Sequence, residues 1–467
     1  MSRVRLIRHS GNSRRQEPGS IAVPASIESL QSLLTSAQSA KPNSNVFFLP
    51  FFFLFAEPSL PIKNSQTHIA QEEIFQMQSG VFFGSVLSTL KKRYFWISLL
   101  FWLVMVAPAQ AALILRVAVQ DGTSQIKVGS STKAAIRDGS GRNLGELPAN
   151  SSQSAQFRSG TVAIGRWASN QIWIEPTGNG YVWIGDRWYR GRTLLVPEKG
   201  ALTAVNYVDL EQYLYSVLGA EMSGNWPQEA LKAQAVAARS YALHKRLKSE
   251  TDLYDVDDTQ SSQVYKGLQT ESSGTYAAVD ATAGQVMTYN GQIILAVFHS
   301  ASGGHTENVE DVWTEPLPYL RAVPDFDQGA PVYQWKENFS RAQMSSKISG
   351  VGNVISMKPE RTTAYGSVLS MKVVGDGGSR VMTGADLRRV LSLRSTRFTV
   401  VPQYDGIFNG RNNGKPPTGF QVAGKGFGHA VGMSQWGAYN LARQGYRYQQ
   451  ILSHYYRGAT LARIAVQ

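Results

Sequence analysis

The chain reads as an α+β protein, with a β-rich N-terminal module followed by a mixed helix and sheet region built around a binding groove. Three observations predict this. Between about 113 and 206, short strand-like segments are separated by Gly, Asn, Ser and Asp, as in β-rich modules. At Asp209 the apolar period changes to that of a helix, and two helices follow. Beyond about 259, strand, turn and helix signals alternate without a long uniform run.

Composition sets the limits. The 467 residues hold 46 Lys and Arg against 33 Asp and Glu, seven His and no Cys. Without Cys there is no disulfide scaffold, thiolate zinc site, iron–sulfur cluster, thiol nucleophile or lipidated cysteine anchor. Length suggests two or three domains. At 43% hydrophobic and 17% charged, the chain can bury a core. The net charge of +13 points to an anionic partner.

The first ninety residues are polar and aperiodic apart from the ten-residue apolar burst 46–55, which is broken by Pro50 and too short to span a bilayer. They predict no fold and read as a doubtful upstream extension. Residues 91–111 differ. Lys91, Lys92 and Arg93 precede fourteen uncharged residues, 94–107, and then Ala109-Gln110-Ala111. A basic region, an apolar stretch and an A-x-A site form a secretory signal peptide. The competing reading is a buried core helix. A signal segment belongs at an N-terminus, so the true start is expected downstream of Met1, at Met77 or a non-standard codon near Val81. N-terminal sequencing of the mature protein tests this, and recovery of residues 1–77 in the cell would refute it. Residues 1–112 hold ten Lys and Arg against five Asp and Glu, leaving 36 against 28, or +8, in the remainder. That remainder has no block of five like charges, so nucleic acid is not indicated.

The element signals then run in order. Strands are expected at 113–119, 125–128, 160–164, 171–175, 181–183, 194–196 and 202–208, with the β-rich module at 112–200 and a second region at 201–467. Asp209 can cap a helix, with Gln212 placed for a capping box. Leu210, Tyr213, Leu214, Val217 and Leu218 recur at helical spacing up to Gly219. The next helix opens at Asn225-Trp226-Pro227 and runs through 228–248, with Pro in the first turn. Its alanines, from Ala230 to Ala242, keep it narrow. Strand and turn signals follow at 259–265 and 284–288, and 293–298 reads as an apolar strand. Residues 322–402 read as ordinary α+β, with Thr383 and Asp386 spaced as a cap pair and no evident chemistry. Ser434 caps a last helix that ends near Gln444, before Gly445.

Three segments could carry chemistry. Glu221 lies in the irregular connector 219–224 between the two helices. A carboxylate after a helix C-terminus is disfavoured as an anion, and burial by Met222 and Trp226 would raise its pKa as a general acid requires. The alternative is a solvated loop glutamate. His299, His305 and Glu307 fall within nine residues, which allows either a metal site or a polar loop shaping a groove. Gly424, Gly426 and Gly428 precede His429 and the last helix. The spacing is not the dinucleotide pattern, and no Asp or Glu occurs from 424 onward to hold a ribose. These glycines would let a long polymer approach the backbone, with His429, Gln435 and Trp436 along it; Trp436 could equally be core.

Four stretches together resemble the stage II sporulation protein D family: 205–214, 220–242, 299–313, and 424–437 with 454–458. They span roughly 113–462. The resemblance implies a lytic transglycosylase that cleaves peptidoglycan between MurNAc and GlcNAc, with Glu221 as catalytic acid. It implies Ser223, Gln234, Arg239, Ser302, His305, His429, Ser434, Gln435 and Trp436 as glycan-binding residues along the groove. A single carboxylate suffices, because the muramyl C6 hydroxyl serves as nucleophile and leaves a 1,6-anhydro end, whereas ordinary glycosidases need two. Some members bind zinc partly through the segment that here reads 258–265. Ser261 and Ser262 stand there and Cys is absent, so neither metal nor cofactor is expected. Expected partners are glycan strands and a cell-wall amidase, with no nucleic acid; an uncleaved signal segment would be the membrane contact. The expected location is exported, in the periplasm or cell wall. The competing class is a non-catalytic glycan-binding protein or amidase enhancer.

Overall fold

In a computed structural model, residues 4–7, 112–249, 252–313, 315–404 and 415–466 are described. The apolar burst 46–55, Met77 and the signal segment 91–111 lie outside them. The alternating segments after Leu113 build two antiparallel-rich sheets. One has seven strands in the order Val256–Asp257, Ile114–Thr123, Ala201–Asp209, Arg192–Glu198, Ile172–Pro176, Ala134–Asp138 and Asn143–Leu147. The other has six and includes Gln125–Ser130, Ser151–Arg158, Thr161–Ile164 and Val182–Ile184. Period-two alternation buries Leu115 and Val117 of the first, and Ile126 and Val128 of the second, in one core.

The same core takes Leu214 and Val217 of helix α1 (Leu210–Glu221) and Leu231, Ala235 and Ala238 of helix α2 (Gln228–Lys248). Elements on both sides of the domain boundary expected at 200 share this core. That boundary falls inside a hairpin in which Leu194 faces Val205 and Leu195 faces Ala204.

Helix α2 separates two cores. Its opposite side presents Ala230, Ala233, Ala237 and Tyr241 to a second cluster with Met287, Val297, Leu320, Val431, Met433, Leu441, Ile451 and Tyr455. The narrow alanine surface is used as expected, and on both flanks. The predicted apolar strand 293–298 is instead two short bridges, Gln292–Ile293 and Phe298–His299, around an irregular buried segment. Phe298–His299 leaves the hairpin to pair in parallel with Met433–Ser434. A four-stranded sheet also joins Gln285–Tyr289 to Thr460–Val466, whose other edge pairs antiparallel with Val4–Ile7. No element is expected at 4–7 from the sequence.

A third core belongs to residues 335–422. It is built from two three-stranded sheets with helices Arg341–Lys347 and Gly384–Leu391, around Met344, Val354, Met371, Leu387, Phe398 and Phe420. The expected region 201–467 is thus divided by its packing.

Candidate active site

Glu221 is the last residue of α1, two positions beyond the predicted end. Asp209 caps the helix as expected, accepting from the N–H groups of Glu211 and Gln212. Gly219 does not stop it. A Cβ at 219 would stand 1.8 Å from the carbonyl oxygen of Thr270, so glycine allows close packing of the last turn. Met222, 3% exposed, takes the cap position in extended conformation.

The carboxylate of Glu221 is half-buried and held from two sides. The Val264 backbone N–H donates to Oε1 at 3.3 Å, and Gln435 Nε2 donates to Oε2 at 3.0 Å. Burial raises its pKa above the ordinary carboxylate range, and the two hydrogen bonds and Lys266 oppose the rise without cancelling it. The desolvated acid, and not the solvated loop residue, is the arrangement found. Both clamping groups come from distant segments.

Val264 is placed by a pinned loop. Asp257 accepts from the Thr259 N–H at 2.9 Å and from Ser262 Oγ at 2.8 Å. Tyr213 Oη donates to Gln263 Oε1 at 3.1 Å, and Gln263 Nε2 donates to the Ala238 carbonyl at 3.2 Å. The Ser-rich segment that the sequence marks as departing from zinc-binding relatives is thus organised by one carboxylate. Among the described residues no three His, Asp or Glu side chains converge into a group able to hold a metal.

Gln435 opens the helix Gln435–Arg443, which Ser434 caps by accepting from the Gly437 N–H at 3.1 Å. Ser434 is fully buried, so its role is this cap. Trp436 lies half-buried in a three-ring cluster: its centroid is 4.8 Å from Trp226 and 5.3 Å from Tyr439. Trp226 follows Glu221 by five residues, so aromatic surface from two segments meets beside the acid. Ser223 is exposed in the connector after Glu221, where its Oγ accepts from the Asn225 N–H at 3.4 Å.

Several expected contact residues stand behind the surface. Arg239 is 0% exposed; its guanidinium donates to Glu211 at 2.8 and 2.5 Å and to the Gln285 carbonyl at 3.0 Å. It is a structural anchor between helices and has no free face for a ligand. Ser302 is buried and donates to Asp325 Oδ2 at 2.5 Å, so it too shapes the groove from within. Gln234 is 0% exposed at the seam of the first two cores, and neither amide atom has a partner among the described residues. His305 stacks on Tyr365 of the third-core module at 3.7 Å.

The glycines correct a further expectation. A Cβ on Gly428 would meet His299 Cβ at 2.6 Å, and one on Gly303 would meet Lys425 Cβ at 2.6 Å. They serve loop-on-loop packing, not approach of a polymer to bare backbone. In the same place Asp327 accepts from the Gly303 and Gly304 N–H groups at 2.7 and 2.9 Å. Burial and the neighbouring Asp325 push Asp327 up to about 6. Neither aspartate carries a sequence signal, because nothing in 322–327 is patterned. His429 is half-buried, 5.3 Å from the ring of His299 and 5.0 Å from that of Trp313. Burial pushes both histidines down to about 3, so both are neutral at ordinary pH.

The site thus sets a protonatable acid at a helix end beside an aromatic cluster. The model for the stage II sporulation protein family matches residues 198–289, which contain Glu221, and a domain of unknown function, DUF8618, matches 319–432. Stage II sporulation protein D of Bacillus subtilis is 32% identical over 284 residues, covering 56% of this chain and 76% of that protein. An uncharacterised protein of Brachyspira hyodysenteriae is 33% identical over 302 residues, covering 62% and 76%. The amidase enhancer of Bacillus subtilis is 32% identical over 291 residues, covering 53% of this chain and 40% of that protein. The chain belongs to the stage II sporulation protein D family.

Proposed function

We propose that this protein is a peptidoglycan lytic transglycosylase acting in cell-wall remodelling, with Glu221 as its single acid and base. The observation that carries the reading is a half-buried carboxyl group clamped by two amides, its pKa raised by burial. Protonated Glu221 donates to the glycosidic oxygen as the muramyl C1–O bond breaks. The carboxylate so formed accepts the proton from the muramyl C6 hydroxyl as its oxygen bonds to C1. The proton inventory closes on one group, no water is consumed, and a 1,6-anhydro end results. Trp226, Trp436 and Tyr439 supply ring faces for sugar stacking, and Gln435 orients the acid. The leader-like pattern at 91–111 and the +8 balance of the remainder support an exported protein working on an acidic wall polymer.

A second reading, a glycan-binding helper of a wall amidase, draws on the likeness to the amidase enhancer. Glu221→Gln with purified glycan strands separates the two. The enzyme reading expects loss of 1,6-anhydro products by at least about 100-fold with binding retained. Wild type that binds strands and yields no anhydro product would leave the helper reading standing.

A further inference from the structure

The positive charge of the chain is concentrated in one place. Residues 335–422 hold 13 Lys and Arg against five Asp and Glu, a balance of +8. The rest of 113–467 holds 23 against 23. The part of the chain that carries Glu221 is therefore neutral in formal sum, and the third-core module supplies the whole excess. An uncompensated excess of one sign draws anions to the surface that bears it.

Part of that excess gathers in one cavity of about 320 Å³. It lies against the three-stranded sheet of Gln334–Ser340, Gly419–Lys425 and Phe398–Gln403. Lys336, Arg397 and Lys425 line it together with Trp335, Phe398 and Thr399, and none of its lining residues is acidic. In the sheet Gln334 faces Lys425 and Lys336 faces Ala423. By alternation Lys336 and Lys425 thus stand on one face as diagonal neighbours, within reach of each other's long side chains. Like charges placed so repel unless an anion bridges them. Both lysines are exposed, and neither forms an ion pair among the described residues. Arg397 differs, because Glu307 already meets its charge at 2.7 Å. Glu337, next along the strand, belongs to the opposite face.

The rest of that face is polar and uncharged. Gln421 Nε2 donates to Asn338 Oδ1 at 3.3 Å, and Thr399 Oγ1 donates to the Ala423 carbonyl at 3.4 Å. Two compact ammonium charges beside amides and a hydroxyl suit phosphate groups spaced along a polyol. A carboxylate would be better matched by a free guanidinium fork.

We propose that the cavity at Lys336 and Lys425 binds the phosphodiester groups of an anionic wall polymer, at a site separate from Glu221. The inference goes beyond the glycan reading and needs no chemistry at Glu221. It gives the module at 335–422 the task of holding the protein on polymer-bearing wall. The site adjoins the groove, since a Cβ on Gly303 would stand 2.6 Å from the Lys425 Cβ.

The test titrates the full chain with a poly(glycerol phosphate) polymer. Polyglutamate, single-stranded DNA and phosphatidylglycerol vesicles are compared at matched charge. Lys336→Gln with Lys425→Gln should weaken binding of the phosphate polymer by about tenfold and flatten its salt dependence. Lys336→Arg with Lys425→Arg should keep most of the affinity. Lys358→Gln with Lys372→Gln takes the same charge from another sheet of the module, where those two lysines face each other. That variant should lose less than about twofold, because screening confines the effect to nearby charges. Unchanged thermal melts exclude unfolding. Equal losses in the two Gln variants would reduce the effect to general charge and overturn the site. So would a wild type that ignores the polymer, or one that binds polyglutamate, DNA or vesicles more tightly than the polymer. Phosphate-free glycan strands offered to the same protein report on the groove alone. Failure to bind them would sink the glycan reading and leave the polymer result standing.

Discussion

At Glu221 two opposing influences set the chemistry. Burial favours the protonated acid, and the donors Gln435 and Val264 favour the carboxylate. A group whose pKa is raised stays protonated to higher pH, so a reaction that needs the acid form persists below that pKa and fails as pH rises through it. Removing Gln435 deletes a donor that stabilises the anion. Gln435→Leu should therefore move the basic limb of the activity profile to higher pH. On the acid side activity should change by less than about tenfold. A pH–rate profile on glycan strands checks this, and a basic limb displaced downward would contradict the assignment. The position of Glu221 after a helix leaves open a solvated loop glutamate, and the family resemblance is what singles it out. Its two partners are not legible in the sequence, since Val264 contributes only backbone and Gln435 lies 214 positions away.

Among the elements, α1 matters because its last turn aims the acid. Its cap, apolar spacing and start are all readable from Asp209 to Leu218. Its end is misread, because glycine commonly closes helices and here serves close contact instead. Gly219→Ala should destabilise the protein by about 1–3 kcal/mol, since the obstructing atom is backbone and cannot step aside. Activity should fall with it as the turn carrying Glu221 shifts. Urea unfolding together with product release measures both, and a stable, fully active variant would refute the packing argument. The strand expected at 293–298 fails for a related reason. A short apolar run signals burial but not regular pairing, and here the segment is buried between two sheets without a ladder of its own.

Across the whole molecule, one buried ion pair ties the third-core module to the groove. Arg397 donates to Glu307 at 2.7 Å and to the Ser302 carbonyl at 2.8 Å. Thr363 and Ser367 also donate to Glu307, at 3.0 and 2.6 Å. Glu307 is 0% exposed, so Glu307→Ala leaves Arg397 buried without its counter-charge and should cost about 3–5 kcal/mol. Loosening should concentrate in residues 335–422, seen as faster hydrogen exchange there than in the strands at 114–209. Uniform exchange across both would refute a module-specific tie. From the sequence, Glu307 is a metal candidate beside His299 and His305. The structure makes it a joint instead, with His305 stacked on Tyr365.

Local chemistry and spacing, read along the chain, were enough for the α+β class, the strand-rich start, both helices around residue 221 and the cap residues. These depend on neighbours a few positions apart, through capping, periodicity and turn geometry. The tertiary structure alone decided which polar residues face the groove. It buried Arg239, Ser302 and Ser434 and brought Gln435 to Glu221. It also set the strands on either side of residue 200 in one hairpin and gave residues 335–422 a core of their own. Those outcomes depend on which surfaces pack together, and burial and pairing between segments more than a hundred residues apart leave no periodic trace in either segment.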